Sequence, residues 1–180
     1  MAAAIETIVF GGGCFWCTEA VFLRLPGVNS VLSGYAGGKM ENPSYEMVST
    51  GKAGHAEVIK VEYDPAVIEF TKLLEVFFSA HDPTTPNRQG ADVGTQYRSV
   101  IFFTEESQKQ EAERCIAKLN EQKKYPAPIM TRIEKLDRFW PAEEYHQNFY
   151  ARNPDEPYSQ AIIKPKIEKL EREYRDLLKG

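Results

Sequence analysis

Two cysteines three residues apart, Cys14 and Cys17, follow Gly11-Gly12-Gly13 and open the segment CFWCTEAVFLRL, whose apolar residues recur at helical spacing. The reactive form of cysteine is the thiolate, and a helix N-terminus favours that anion through unsatisfied N–H groups and aligned peptide dipoles. The spacing therefore predicts a nucleophilic Cys14 at a helix start. The glycines let the backbone approach a ligand closely, and Phe15 and Trp16 offer apolar surface to a substrate group. Positions 14 and 17 share a helix face, so their sulfurs can form a disulfide after modest adjustment. Cys-x-x-Cys pairs also occur in zinc sites and thioredoxin-like oxidoreductases. Zinc needs further ligands, and Cys115, His55, His81 and His146 supply no second pair at ligand spacing, so no metal is expected.

An acid to complement the sulfur is found in residues 55–63. There Glu57, Ile59, Val61 and Tyr63 share one face of a strand, while Val58, Lys60 and Glu62 share the other. Glu57 thus lies on the apolar face. A buried carboxyl has its pKa raised by desolvation and can donate a proton near neutral pH. A carboxylate at a strand end also commonly faces solvent or a basic partner, and the spacing alone leaves both readings open. Tyr45 and Tyr97 are hydroxyl donors, yet they are two among nine tyrosines, most of which pack with the OH at the surface.

The elements that must hold these groups follow from periodicity and turn residues. Strands are expected at residues 5–10, 28–36, 55–63, 97–103 and 129–136. Helices are expected from Cys14 to before Pro26-Gly27, as one or two turns over 43–50, and over 64–81, 105–124, 141–152 and 166–179. Residues 82–96, with two prolines and two glycines, read as a long loop of the kind that often carries function. Ile167, Leu170, Tyr174, Leu177 and Leu178 form one stripe that should dock the last helix on the body. No repeat or linker divides the chain, so 1–180 is expected to be a single domain. Alternating strands and helices without a crossover helix for every strand pair indicate an α/β or α+β sandwich with a mixed sheet.

Composition narrows the class of function. A chain of 180 residues, 42% hydrophobic and 27% charged, is globular and large enough for a core. A net charge of −4 argues against nucleic acid as a partner, which requires clustered Lys and Arg. No window approaches the ~20 apolar residues of a membrane span, and residues 1–10 lack a secretory signal's basic start. Three cysteines do not make a disulfide framework. A cytoplasmic monomer with free thiols is expected.

The run Gly13-Cys14-Phe15-Trp16-Cys17-Thr18-Glu19 resembles the Gly-Cys-Phe-Trp active-site motif of the A-type peptide methionine sulfoxide reductases. Tyr35 to Gly38 with Pro43-Ser44-Tyr45 is similar to that family as well. So are Gly54-His55-Ala56-Glu57-Val58, Gly90-Ala91-Asp92-Val93-Gly94-Thr95-Gln96-Tyr97-Arg98 and FWPAEEYHQNF at 139–149. The resemblance covers about residues 5–153 in order. It implies an α+β two-layer sandwich with a ferredoxin-like core, additional helices, and a shallow site at the start of the first helix. It further implies reduction of methionine S-sulfoxide, free or in proteins, without a cofactor. By similarity Cys14 is the nucleophile, Glu57 the proton donor, and Tyr45, Asp92 and Tyr97 the polar and water-positioning groups. Phe15 and Trp16 would hold the substrate methyl group. A sulfoxide sulfur is electrophilic only when its oxygen is protonated or hydrogen-bonded, so a thiolate opposite a neutral acid suits this chemistry. Attack leaves a sulfenic acid on Cys14, which condenses with a nearby thiol. Thioredoxin or another dithiol would then restore the enzyme.

Many relatives have Gly at the position of Cys17 and carry resolving cysteines in a glycine-rich C-terminal tail. Residues 164–180 here contain no cysteine and read as helical. Cys17 is therefore the expected resolving thiol, while Cys115, beside Ile116 and Leu119, reads as a small buried hydrophobe. His55 and His146 read as hydrogen-bonding framework. A general thiol–disulfide oxidoreductase would not need Glu57 on an apolar face, and a methionine-binding module would need only Phe15 and Trp16. Neither accounts for all five segments.

Overall fold

Side-chain alternation along the strands sorts the apolar residues into two layers. The computed structural model describes residues 4–178. In chain order it contains β1 (Glu6–Gly12), α1 (Phe15–Phe22), β2 (Val28–Ala36), α2 (Tyr45–Ser49), β3 (Ala56–Tyr63) and α3 (Phe70–Ala80). A short ribbon follows, β4 (Arg88–Gln89) and β5 (Asp92–Val93), then β6 (Ser99–Phe103), α4 (Glu106–Glu121) and β7 (Arg132–Lys135). β8 (Phe139–Pro141), α5 (Phe149–Arg152) and α6 (Lys164–Glu173) complete it. Ile8, Phe10, Ile59, Val61, Tyr63, Ile101 and Phe103 point toward the helices and join Phe22, Leu73, Leu74, Phe77 and Leu170 in the main core. Val9, Val58, Val100 and Phe102 point the other way, into a smaller cluster covered by Leu136 and Phe139.

The sheet order is β7-β6-β1-β3-β2-β8. Only β6 and β7 run parallel, joined by the crossover helix α4; every other neighbouring pair is antiparallel. Within it the chain β1-α1-β2-β3-α3-β6 occupies spatial order β6-β1-β3-β2, the split βαβ arrangement of a ferredoxin-like core. The expected mixed-sheet α+β sandwich is observed.

Several boundaries differ, for identifiable reasons. The helix expected from residue 64 begins at Phe70, because Asp64 first closes a turn by accepting the Ala66 N–H with its side chain. The expected loop 82–96 contains the β4–β5 ribbon. The helix expected over 141–152 does not form. Pro141 instead ends an edge strand paired with Gly34, where a missing N–H is tolerated. Gln147 bonds across to both backbone groups of Ser33, and Asn148 adopts a left-handed φ of 55°, leaving a 3-10 turn at Glu144–His146 and the single turn of α5. The C-terminal helix is expected over 166–179. A π-helical turn at Ser159–Ile163 leads into α6, which ends at Glu173. Leu177 and Leu178 still pack on the core, and the expected helix end at Lys179 lies outside the described residues. Among the described residues no helix is long and apolar enough to cross a membrane.

Candidate active site

β1 is one of the two middle strands of the sheet, and its end delivers the chain to Gly13 and Cys14. Gly13 turns the chain at φ +92°, and a Cβ there would lie 2.7 Å from the Gln89 side chain, so only glycine fits. Cys14 is the N-cap of α1, its carbonyl accepting from the Cys17 N–H at 3.1 Å, and the thiol is only 9% exposed. The Cys14 side chain makes no capping hydrogen bond. The first helical N–H, that of Phe15, is taken instead by Glu57 Oε1 at 3.2 Å.

That substitution of partner corrects the expectation of a resting Cys14 thiolate. Burial pushes the Cys14 thiol well above its ordinary value, and its hydrogen bond to Cys17 and the nearby Glu57 add to the effect. Cys17, receiving that bond, is held below its ordinary value despite its own burial, with Lys166 assisting. The two sulfurs share their protons as a pair. A helix terminus carries only about half a charge, which does not offset desolvation of a sulfur that bonds no helical N–H.

Glu57 lies on β3 opposite Tyr35 of β2 and is 1% exposed, so the solvent-facing reading of this carboxyl does not hold. Desolvation pushes its pKa up to about 8, against the Phe15 hydrogen bond that lowers it and with Asp92 and Cys17 adding to the rise. It is therefore a neutral acid at pH 7. Oε2 is buried without a hydrogen-bond partner among the described residues.

Tyr45 begins α2, and Tyr97 ends the 3-10 turn Thr95–Tyr97 before β6. Gln96 ties the two elements together by donating to the Ser49 carbonyl at 3.2 Å. Both phenols stay protonated: burial and then the charges of Glu57 and Cys14 push Tyr45 up to about 12, and burial and then Glu57 raise Tyr97. Phe15 is fully buried between Tyr35, Tyr45 and His146, so it backs the site from within the core. Trp16 is half-buried and stacks on Phe149 with centroids 3.8 Å apart. Cys14, Cys17, Gln89, Asp92, Tyr158 and Lys166 line a cavity of about 320 Å³. A larger hollow of about 690 Å³ beside Leu119, Tyr125 and Pro126 carries lysines but no nucleophile or acid.

A sequence model described as peptide methionine sulfoxide reductase matches residues 6–178. The chain belongs to that family. It is 51% identical over 176 residues to a peptide methionine sulfoxide reductase MsrA of Chromobacterium violaceum, covering 98% of this chain and 100% of the relative. The crystal structure of Mxr1 from Saccharomyces cerevisiae in reduced form is 37% identical, with a TM-score of 0.78 over 84% of this chain and 87% of that one. Mxr1 solved in complex with Trx2 is 27% identical, with a TM-score of 0.57 over 83% and 89%.

Around the site of this peptide methionine sulfoxide reductase the structure places residues that sequence reasoning did not single out. Tyr158 lies 3.8 Å from Cys17 Sγ and donates to Asp92 Oδ2 at 3.0 Å. It sits in a segment whose helical form was not foreseen. Glu19, buried, accepts from Asn148 N–H, Phe149 N–H and Ser33 Oγ, so it fixes the turn that presents Phe149 to Trp16. Its place at the end of the run Gly13–Glu19 is the signal that sequence offers. Glu143 accepts from Tyr35 Oη and Tyr45 N–H at 2.8 and 2.9 Å. His146 accepts the Trp16 indole N–H on Nδ1 at 3.0 Å, and burial holds the ring neutral. His55 accepts the Gly38 N–H and its other nitrogen meets the Met40 carbonyl, so both histidines act as framework, as expected. Cys115 is half-buried against the main core on α4, which covers β6 and β7, whereas Cys17 lies on α1 over β2 and β3. Among the described residues no group of three or more His, Cys, Asp or Glu side chains could hold a metal ion.

Proposed function

We propose that Cys14 carries the reduction of methionine S-sulfoxide, free or in proteins, with Glu57 as the acid. The observation that supports this most strongly is a carboxyl held neutral by burial next to the helix start that bears the cysteine. Glu57 donates its proton to the sulfoxide oxygen while the Cys14 sulfur attacks the substrate sulfur. The S–S bond so formed breaks as the protonated oxygen passes from the substrate sulfur to the Cys14 sulfur, so the substrate's S–O bond is lost, methionine leaves and Cys14 becomes a sulfenic acid. The proton given up by the Cys14 thiol restores Glu57, so the step balances without an outside acid. Tyr45 and Tyr97, held as phenols, can donate to the same oxygen as charge develops on it, and Asp92 can orient the water or polar groups beside it. Phe15 and Trp16 would bound the methyl group.

Cys17 then displaces hydroxide from the sulfenic sulfur as water forms, giving a Cys14–Cys17 disulfide. Its place on the same turn of α1 supports this over Cys115. Reduction by thioredoxin or another dithiol closes the cycle, a reading supported by the Mxr1 complex with Trx2. Three free thiols suit a reducing compartment, so we assign the enzyme to the cytoplasm, acting as a single-domain monomer over 1–180. A plain disulfide oxidoreductase would have no use for the buried Glu57. The test is turnover of the separate S and R epimers of a blocked methionine sulfoxide with thioredoxin and its reductase. Methionine from the S epimer is expected; none from either epimer would overturn the reading.

A further inference from the structure

The Tyr158 hydroxyl joins two groups that the cycle needs. Its oxygen is 3.8 Å from Cys17 Sγ, and it donates to Asp92 Oδ2 at 3.0 Å. Because a phenol has one proton and that proton is committed to Asp92, its oxygen is left to accept the Cys17 S–H. The ring stands edge-on to Trp16 at 5.6 Å, which fixes its position over the sulfurs. Cys14, Tyr158, Asp92, Lys166 and Glu57 are the titratable groups around Cys17, and Asp92 lines the cavity together with Lys166.

We propose that Tyr158 is a catalytic residue of the resolving step, its oxygen accepting the Cys17 proton as its own proton passes to Asp92. This rests on the reading that Cys17 resolves the sulfenic acid. Burial keeps the phenol protonated at rest, so the two transfers are concerted and no phenolate stands free. The Cys17 sulfur then attacks the Cys14 sulfur. An S–S bond forms, the S–O bond of the sulfenic acid breaks, and the departing hydroxide takes the proton from Asp92 through Tyr158 to leave as water. One sulfenic acid and one thiol yield one disulfide and one water, with no further oxidant or reductant. Asp92 acts through Tyr158 and is a positioning residue for this step.

The experiment uses reduced full-length protein without added dithiol, mixed with excess blocked methionine S-sulfoxide and quenched over time. Methionine, dimedone-trapped sulfenic acid and disulfide are counted together. Tyr158→Phe keeps the ring and loses the relay. It should form its first methionine, accumulate trapped sulfenic acid, and close the disulfide at least about tenfold more slowly than wild type near neutral pH. The gap should narrow as pH rises and solvent ionises Cys17. Asp92→Asn retains an acceptor for the phenol but holds no proton, and should slow disulfide closure per methionine formed to a similar extent. Wild-type closure in either variant overturns the proposal, as does an equal, pH-independent slowing of both steps. Cys17→Ser should accumulate sulfenic acid to about one per enzyme; a disulfide formed in that variant overturns the reading of Cys17 itself.

Discussion

Glu57 Oε1 accepts the Phe15 N–H, the first amide of α1, at 3.2 Å, while Oε2 of the same buried carboxyl has no hydrogen-bond partner among the described residues. The relationship prepares both forms of the acid. Desolvation keeps the proton on at rest, and the amide at the positive end of a helix waits for the carboxylate left after donation.

The acid must be protonated to act, so its pKa of about 8 sets the alkaline limit of the reductive step. kcat/KM for methionine formation should therefore fall as pH rises through about 8. Glu57→Gln should lower it by about 10²–10⁴-fold and remove that alkaline limb. Single-turnover methionine formation against pH reads both; an unchanged limb in Glu57→Gln would assign it to another group.

The same burial costs stability at high pH. A carboxyl whose folded pKa is raised contributes stability fully below the ordinary carboxylate range, and loses it as pH climbs from there through about 8. Glu57→Gln should thus raise Tm relative to wild type at alkaline pH, with the gap shrinking toward acid. Thermal melts of both proteins across pH check this, and a gap that is constant with pH would contradict it.

Cys17→Ser should complete one turnover and then stop with thioredoxin as reductant, since the sulfenic acid has no adjacent thiol. Cys115→Ser should sustain the thioredoxin-dependent cycle, because its sulfur packs against the main core on α4. Steady-state assays of both variants distinguish the roles, and loss of cycling in Cys115→Ser alone would reverse them.

Glu19 holds three donors from two distant segments. Glu19→Ala leaves the buried Ser33 hydroxyl and two part-buried backbone N–H groups unmatched and should cost about 3 kcal/mol. For a chain of this size that is a Tm lower by roughly 6–12 °C. Because Phe149 then loses its anchor against Trp16, KM should rise more than kcat falls. A melt within a degree of wild type would show that water replaces the carboxylate.

Much of this was legible in sequence because local period and core face agree. Strand residues 55–63 alternate so strictly that Glu57 could be placed on the apolar side, and the Gly-rich turn fixed where α1 begins. The ionisation of Cys14 was not legible, since it depends on which atom takes the Phe15 N–H, a contact 42 residues away in sequence. Residues 141–152 misread as helix because Glu143, Gln147 and Asn148 favour a helical pattern locally but are claimed by Tyr35, Ser33 and Glu19. Tyr158 gave no local signal. It acquires meaning only when the turn at 159–163 brings it beside Cys17, 141 residues from its partner.

The most direct test of the central claim mixes reduced protein, free of dithiol, with excess blocked methionine S-sulfoxide and follows methionine together with the mass of the peptide bearing residue 14. Wild type should release one methionine per chain and end with a Cys14–Cys17 disulfide, and Cys14→Ser should release none. Methionine from Cys14→Ser at the wild-type rate would contradict Cys14 as the sulfur that takes the oxygen.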